Sequence, residues 1–116
     1  MSESSSDVVA LVRDLMFTSK ITATGRSMNV PVTVVRDPAR LADTPGRLLL
    51  VDLNLEGAIP AAVAWVGAAE GRRAIGFVAH VDTESIFRAR QAGIDRILTR
   101  GQFSNQLPHI LTGSRE

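Results

Sequence analysis

Cysteine is absent from this 116-residue chain, which removes disulfides, thiolate metal sites and cysteine nucleophiles together. Histidine is almost as scarce. His80 and His109 are the only two, and they cannot by themselves form a histidine-rich metal site. Long hydrophobic runs are missing as well: the longest nearly apolar stretch, Ala58 to Ala69, is too short to span a bilayer, so no membrane partner is expected. Neither sign of charge dominates. Thirteen Lys and Arg stand against twelve Asp and Glu, the formal net charge is +1, and Arg72-Arg73 is the one adjacent pair of cations. That balance is no electrostatic footprint for nucleic acid. The opening MSESSSD lacks the basic and apolar parts of a secretory signal, so a cytoplasmic location is expected.

What is present describes one globular domain. Hydrophobic residues make up 45% of the chain and charged residues 22%, and the length suits a single core. Residues 1–6 are small and polar and are read as a disordered start; 7–112 form the domain; 113–116 (GSRE) form a tail. Within the domain, short apolar runs alternate with helix-like segments. Strands are predicted at Val8–Val12, Val30–Val35, Leu48–Val51, Ala74–Ala79 and Ile94–Thr99. A helix is predicted from Asp14 to Met28, with Ile21, Gly25 and Met28 inward. Asp37-Pro38 opens a short helix, with an aspartate cap followed by proline at the first helical position. Ile59–Ala69 is an alanine-rich helix with Val63 and Val66 inward. Asp82 caps a helix ending at Gly93, which suits a left-handed C-terminal residue. Ser104 is the predicted cap of a final short helix, with Leu107, Ile110 and Leu111 inward and Pro108 in its first turn.

Five strands alternating with five helices imply an α/β sandwich with a parallel sheet covered on both faces. Right-handed crossovers favour the flavodoxin-like strand order 2-1-3-4-5, and in such sheets chemistry gathers at the carboxyl ends of the strands. Arg13-Asp14, Asp52-Leu53-Asn54, Ala79-His80 and Arg100 then share one rim. Leu48–Val51 ends on the carboxylate of Asp52 because the chain leaves the core there.

The strand ends VVALVRD, LLLVDLNLEG, AIGFVAH and AGIDRILTRGQF, taken in order, resemble those of a receiver domain from a two-component response regulator. The resemblance covers nearly the whole chain and lies in the set of strand ends, since no single motif is long. It implies that Asp52 occupies the phosphoacceptor position and that Arg13-Asp14 occupies the acidic pair that helps to hold Mg2+. It puts Val78 on the hydroxyl residue closing strand four, Ile97 on the switching aromatic and Arg100 on the phosphoryl-contacting lysine. Gly101 stands where that lysine's proline partner is usual, and Phe103 is displaced by one residue from a following aromatic.

The departures carry as much meaning. Phosphorylating a carboxylate brings a dianionic group to an anion, and Mg2+ bridging carboxylates and phosphoryl oxygens supplies the compensating charge. Asp14, Asp52 and the Asn54 carbonyl are the available ligands, while Arg13 replaces an acid with a fixed cation, so the cofactor expected is none or weakly held Mg2+. Val78 has no hydroxyl for a phosphoryl oxygen, and Ile97 has no ring whose turn could report one. Arg100 presents a planar fork in place of an ammonium. Arg13 or Arg100 is expected within ion-pair reach of Asp52. His80 is read as a pocket-border residue, more often a surface loop position than a catalyst. Trp65 and Phe77 are read as core, Phe87 and Phe103 as further core candidates, with the neighbours Ile86 and Phe87 expected to leave one apolar side chain on a helix surface.

The expected function is a signalling module that works by protein contact with degraded phosphate switching, its partner a histidine kinase or a downstream protein. The last two helices are where receivers often pair, which admits a homodimer. One alternative is an ordinary phospho-accepting receiver using Asp52 and Mg2+. Another is a small flavodoxin-like ligand binder or enzyme. Against an enzyme stand the lack of a nucleophile–histidine pairing, of a glycine-rich cofactor loop and of room for a substrate domain.

Overall fold

The computed structural model describes residues 7–78, 83–94 and 96–113. Strands β1 (Val8–Leu11), β2 (Val32–Val35), β3 (Leu48–Asp52), β4 (Arg73–Val78) and β5 (Arg96–Thr99) form one sheet in the order β2-β1-β3-β4-β5. Every pairing is parallel, with Leu11 opposite Val51 and Asp52 opposite Phe77. Helices α1 (Leu15–Ser27), α2 (Ala58–Gly67) and α3 (Thr83–Gln91) fill three of the connections, a six-residue 3-10 helix, Pro38–Asp43, crosses from β2 to β3, and α4 (Arg100–Gly113) follows the last strand. The expected doubly wound fold and strand order are therefore present.

Alternation along the buried strands sends successive side chains to opposite faces, and this divides the core in two. Val8, Ala10, Leu48, Leu50 and Phe77 meet Phe17 and Ile21 of α1 and Phe103, Leu107 and Leu111 of α4. Val9, Leu11, Leu49 and Val51 meet Leu41 of the 3-10 helix, Ala58, Ala62 and Trp65 of α2, and Ala89 of α3. No helix among the described residues is long and apolar enough to cross a membrane.

The caps explain where elements start and stop. Asp37 accepts from the Ala39 N–H at 3.0 Å and is followed by Pro38, as expected of that short helix. Helix α1 ends with Asn29 in the left-handed region at φ 59°; the Asn29 N–H donates to Arg26 and the Val30 N–H to Gly25. Helix α3 ends the same way with Gly93 at φ 103°, its N–H donating to Arg90 while Ile94 reaches back to Ala89. Both are Schellman closures, which satisfy carbonyls that the helix leaves unpaired.

Three expectations need correction. Ser104 does not cap the last helix, because α4 begins directly at Arg100, and Pro108 lies in its middle. The reason is a capping box: the Gln102 N–H donates to the Thr99 hydroxyl at 3.1 Å, and the Thr99 N–H donates to Gln102 Oε1 at 3.0 Å. In α2 the buried residues are Ala58, Ala62 and Trp65; Val66 is half-buried and packs against that core as expected, while Val63 is half-buried and not part of it. The indole sets that rotation by donating to the Thr44 carbonyl at 2.7 Å. Gly113 belongs to α4, so the helix runs into the expected tail. The Asp82 cap lies outside the described residues.

Candidate functional site at the carboxyl rim of the sheet

Asp14 follows the end of β1 by three residues, Asp52 closes β3, and Arg100 follows β5 directly. Parallel pairing of β2-β1-β3-β4-β5 brings all three to the same edge. Val78, at the end of β4, is buried and paired with Thr99, and Ile97 is half-buried and paired with Gly76. His80 lies outside the described residues.

Asp14 has a structural task before any chemical one. It is the N-cap of α1, its Oδ1 accepting from the backbone N–H of Met16 at 2.9 Å and of Phe17 at 3.3 Å. Its Oδ2 accepts from the Arg100 guanidinium at 2.5 Å, with both side chains part-exposed. The Phe17 N–H holds the Asp14 carboxyl below its ordinary pKa of 3.8; desolvation opposes this, and the Met16 N–H and Arg100 add to it. Arg100 is fixed from a second side, its guanidinium carbon lying 4.5 Å from the centre of the Phe17 ring. The Phe17 ring meets Phe77 edge-on at 4.7 Å and Phe103 at 5.6 Å, and Phe77 stacks on Phe103 at 4.4 Å. An aromatic cluster in the core thus supports the cation at the rim.

Asp52 is half-buried, and its Oδ1 accepts from the Asn54 N–H at 3.0 Å. The next residue, Leu53, donates its N–H to the Phe77 carbonyl at 2.9 Å, so the ladder with β4 continues past the acid. Leu53 is buried because Gly76 makes room: a Cβ at Gly76 would lie 2.6 Å from the Leu53 side chain. Asn54 is exposed.

Asp14, Asp52 and Arg100 thus stand at one edge, as the strand ends placed them, and an ion pair there joins Arg100 to Asp14. Arg13 is exposed. Three contributors, Phe17, Thr99 and Gln102, were not among the expected site residues. Phe17 begins the spacing Phe17, Ile21, Gly25, which is the buried stripe of α1. Thr99 and Gln102 position Arg100 as the first residue of α4, and the signal was the short pattern TRGQ, a threonine followed three residues later by glutamine. Leu15 and Met16, beside the acidic cap, are 67% and 81% exposed and add apolar surface to the rim.

No protein-family model and no curated protein sequence matches this chain. Solved structures do. The BeF3-activated DrrB receiver domain superposes with a TM-score of 0.78 at 12% identity, over 97% of this chain and 98% of that one. A response regulator receiver domain protein from Methanospirillum hungatei gives 0.75 at 12% identity, over 97% and 98%. The fold is that of a receiver domain. A response regulator from Thermotoga maritima matches it at 0.73 and 12% identity, over 95% of this chain and 97% of that one. Among the described residues, no three His, Asp or Glu side chains gather as a metal cluster.

Proposed function

We propose that this chain is a receiver-like signalling module that acts through protein contact, with phosphate-driven switching degraded, and that it is not an enzyme. Its partner is a histidine kinase or a downstream signalling protein, or a second copy of the chain, in the cytoplasm. One observation carries the reading. The carboxylate that would hold Mg2+ beside Asp52 is already engaged: Asp14 caps α1 with one oxygen and pairs with Arg100 through the other. A divalent ion there would have to displace or face the Arg100 cation, with Arg13 next in sequence to Asp14, and it would find two carboxylates and a carbonyl as ligands. The donor set fits Mg2+ poorly. Val78 and Ile97 support the same reading, since neither side chain can hydrogen-bond to a phosphoryl group or present a ring to it. A population shift needs phosphate to favour one state over the other, and these replacements remove the groups that would make that difference.

Acetyl phosphate with Mg2+ tests this, read by intact mass and by amide shifts. Unchanged mass and unchanged shifts are expected, and Arg13→Asp is expected to raise Mg2+ affinity. Stoichiometric modification at Asp52 with shifts spreading over α3 and β5 would establish an ordinary phospho-receiver instead.

A further inference from the structure

Helix α2 reads AIPAAVAWVG, ten residues without a charged side chain and with the Trp65 indole as its single polar group. A helix apolar on every face is ordinarily enclosed on every face. Here one stripe is enclosed: Ala58, Ala62 and Trp65 are buried, Ile59, Val63 and Val66 are half-buried, and Pro60 and Ala64 are exposed. Between α2 and α3 lies an open groove of about 760 Å³, walled by Leu53, Leu55, Ile59, Val63 and Ala92. A second hollow shares Val63 and Ala92 and continues the groove to Arg73 at the start of β4. The trench therefore runs from the rim to the opposite edge of the sheet. It follows a helix roughly 15 Å long at 1.5 Å per residue.

The charges bordering this trench are unequal. Arg88 lines it from α3, Arg72 and Arg73 stand at its far end, and Glu56 is the acid at the rim end. Arg88 and Arg73 are exposed. We propose that the trench docks an amphipathic helix of a partner protein, its apolar stripe against α2 and its acidic flank toward Arg88 and Arg73. This is helix-in-groove recognition with complementary charge selecting the partner. A second copy of this chain is the poorer occupant. Helices α1, α3 and α4 each carry more basic than acidic residues and α2 carries none of either, so each would offer the trench like charge or no charge. The docking surface gives the proposed signalling module its contact, and it rests on that reading only for the use to which the contact is put.

Three synthetic peptides test the proposal on the full chain. One has leucines at helical i, i+3, i+4 and i+7 spacing flanked by glutamates, one has lysine flanks, and one keeps the glutamates with the leucines scrambled. Saturable binding of the first is expected, with amide shifts centred on 55–64 and 85–92, about tenfold tighter than the lysine peptide and lost on scrambling. Arg88→Glu is expected to reverse the preference between glutamate and lysine flanks, and Val63→Glu to abolish binding. Should Val63→Glu unfold the protein, Arg88→Glu decides alone, because it changes an exposed residue. Equal binding of the two charged peptides, shifts centred elsewhere, or self-association occupying the same residues would each overturn the proposal. The acetyl phosphate test is run separately, so phosphorylation of Asp52 there with peptide binding intact here would remove the switching reading and leave the docking surface standing. Failure of the glutamate peptide with Asp52 unmodified would do the reverse.

Discussion

Asp14 and Arg100 each serve two neighbours, and this makes their contact sensitive to pH. Asp14 holds the first turn of α1 and the guanidinium, while Arg100 also lies over the Phe17 ring. The Phe17 N–H and its companions lower the Asp14 pKa in the folded state. The sign follows: the unfolded chain takes up this proton first, so the contribution to stability is present above the ordinary value of 3.8 and fades as pH falls through the lower folded value. Asp14→Asn keeps a good N-cap and removes the charge. It is expected to melt below the parent at neutral pH, with the two midpoints converging once Asp14 is protonated. Thermal melts of both proteins across that range check this, and a gap that persists in acid would contradict it. The pair is part-exposed, so its effect is expected to be modest.

At the scale of elements, β5 passes into α4 without a loop, and Thr99 is both the last strand residue and the helix cap. This abrupt junction puts Arg100 at the rim. Losing the cap hydroxyl removes the partner of the Gln102 N–H, and Thr99→Ala is expected to cost about 1 kcal/mol in urea unfolding. The same variant is expected to broaden or shift the Arg100 side-chain resonances, because the first turn that holds the guanidinium loosens. Helix α4 tolerates Pro108 in its interior although proline supplies no N–H to the carbonyl one turn earlier. Its Leu107, Ile110 and Leu111 are buried around that position, and their packing holds the helix together. The expected start at Ser104 failed because a serine before an apolar run is a common cap, whereas TRGQ straddles the end of β5, so its threonine reads as a strand residue before it reads as a cap.

On the scale of the whole molecule, the two half-cores share one sheet, so damage to either is transmitted to both. Phe103 is fully buried, stacked on Phe77 and edge-on to Phe17. Phe103→Ala is expected to cost about 3–5 kcal/mol, a large part of the 5–15 kcal/mol typical of a domain. Urea unfolding should still show a single transition with its slope unchanged and its midpoint lowered. A biphasic curve would mean that the two faces unfold independently.

The sequence by itself determined the architecture. Short β-rich apolar runs such as VVALV and LLLV admit little besides buried parallel strands once helical segments separate them, and the handedness of crossovers then leaves few strand orders. It also determined which charged residues share an edge, because Asp14, Asp52 and Arg100 each stand at or just after a strand end. It could not pair Arg100 with Asp14, because residues 86 positions apart in the chain meet only after the sheet has closed. Nor could it tell that Ala58 and Ala62 turn inward beside Trp65, already read as core, while Val63 faces a trench. All are apolar, and the choice depends on one long-range bond from the indole to the Thr44 carbonyl. Periodicity ranks residues by hydrophobicity, but the rotation of a helix that is apolar all round is set by the shape and polar contacts of what it packs against, and those exist only in the folded protein.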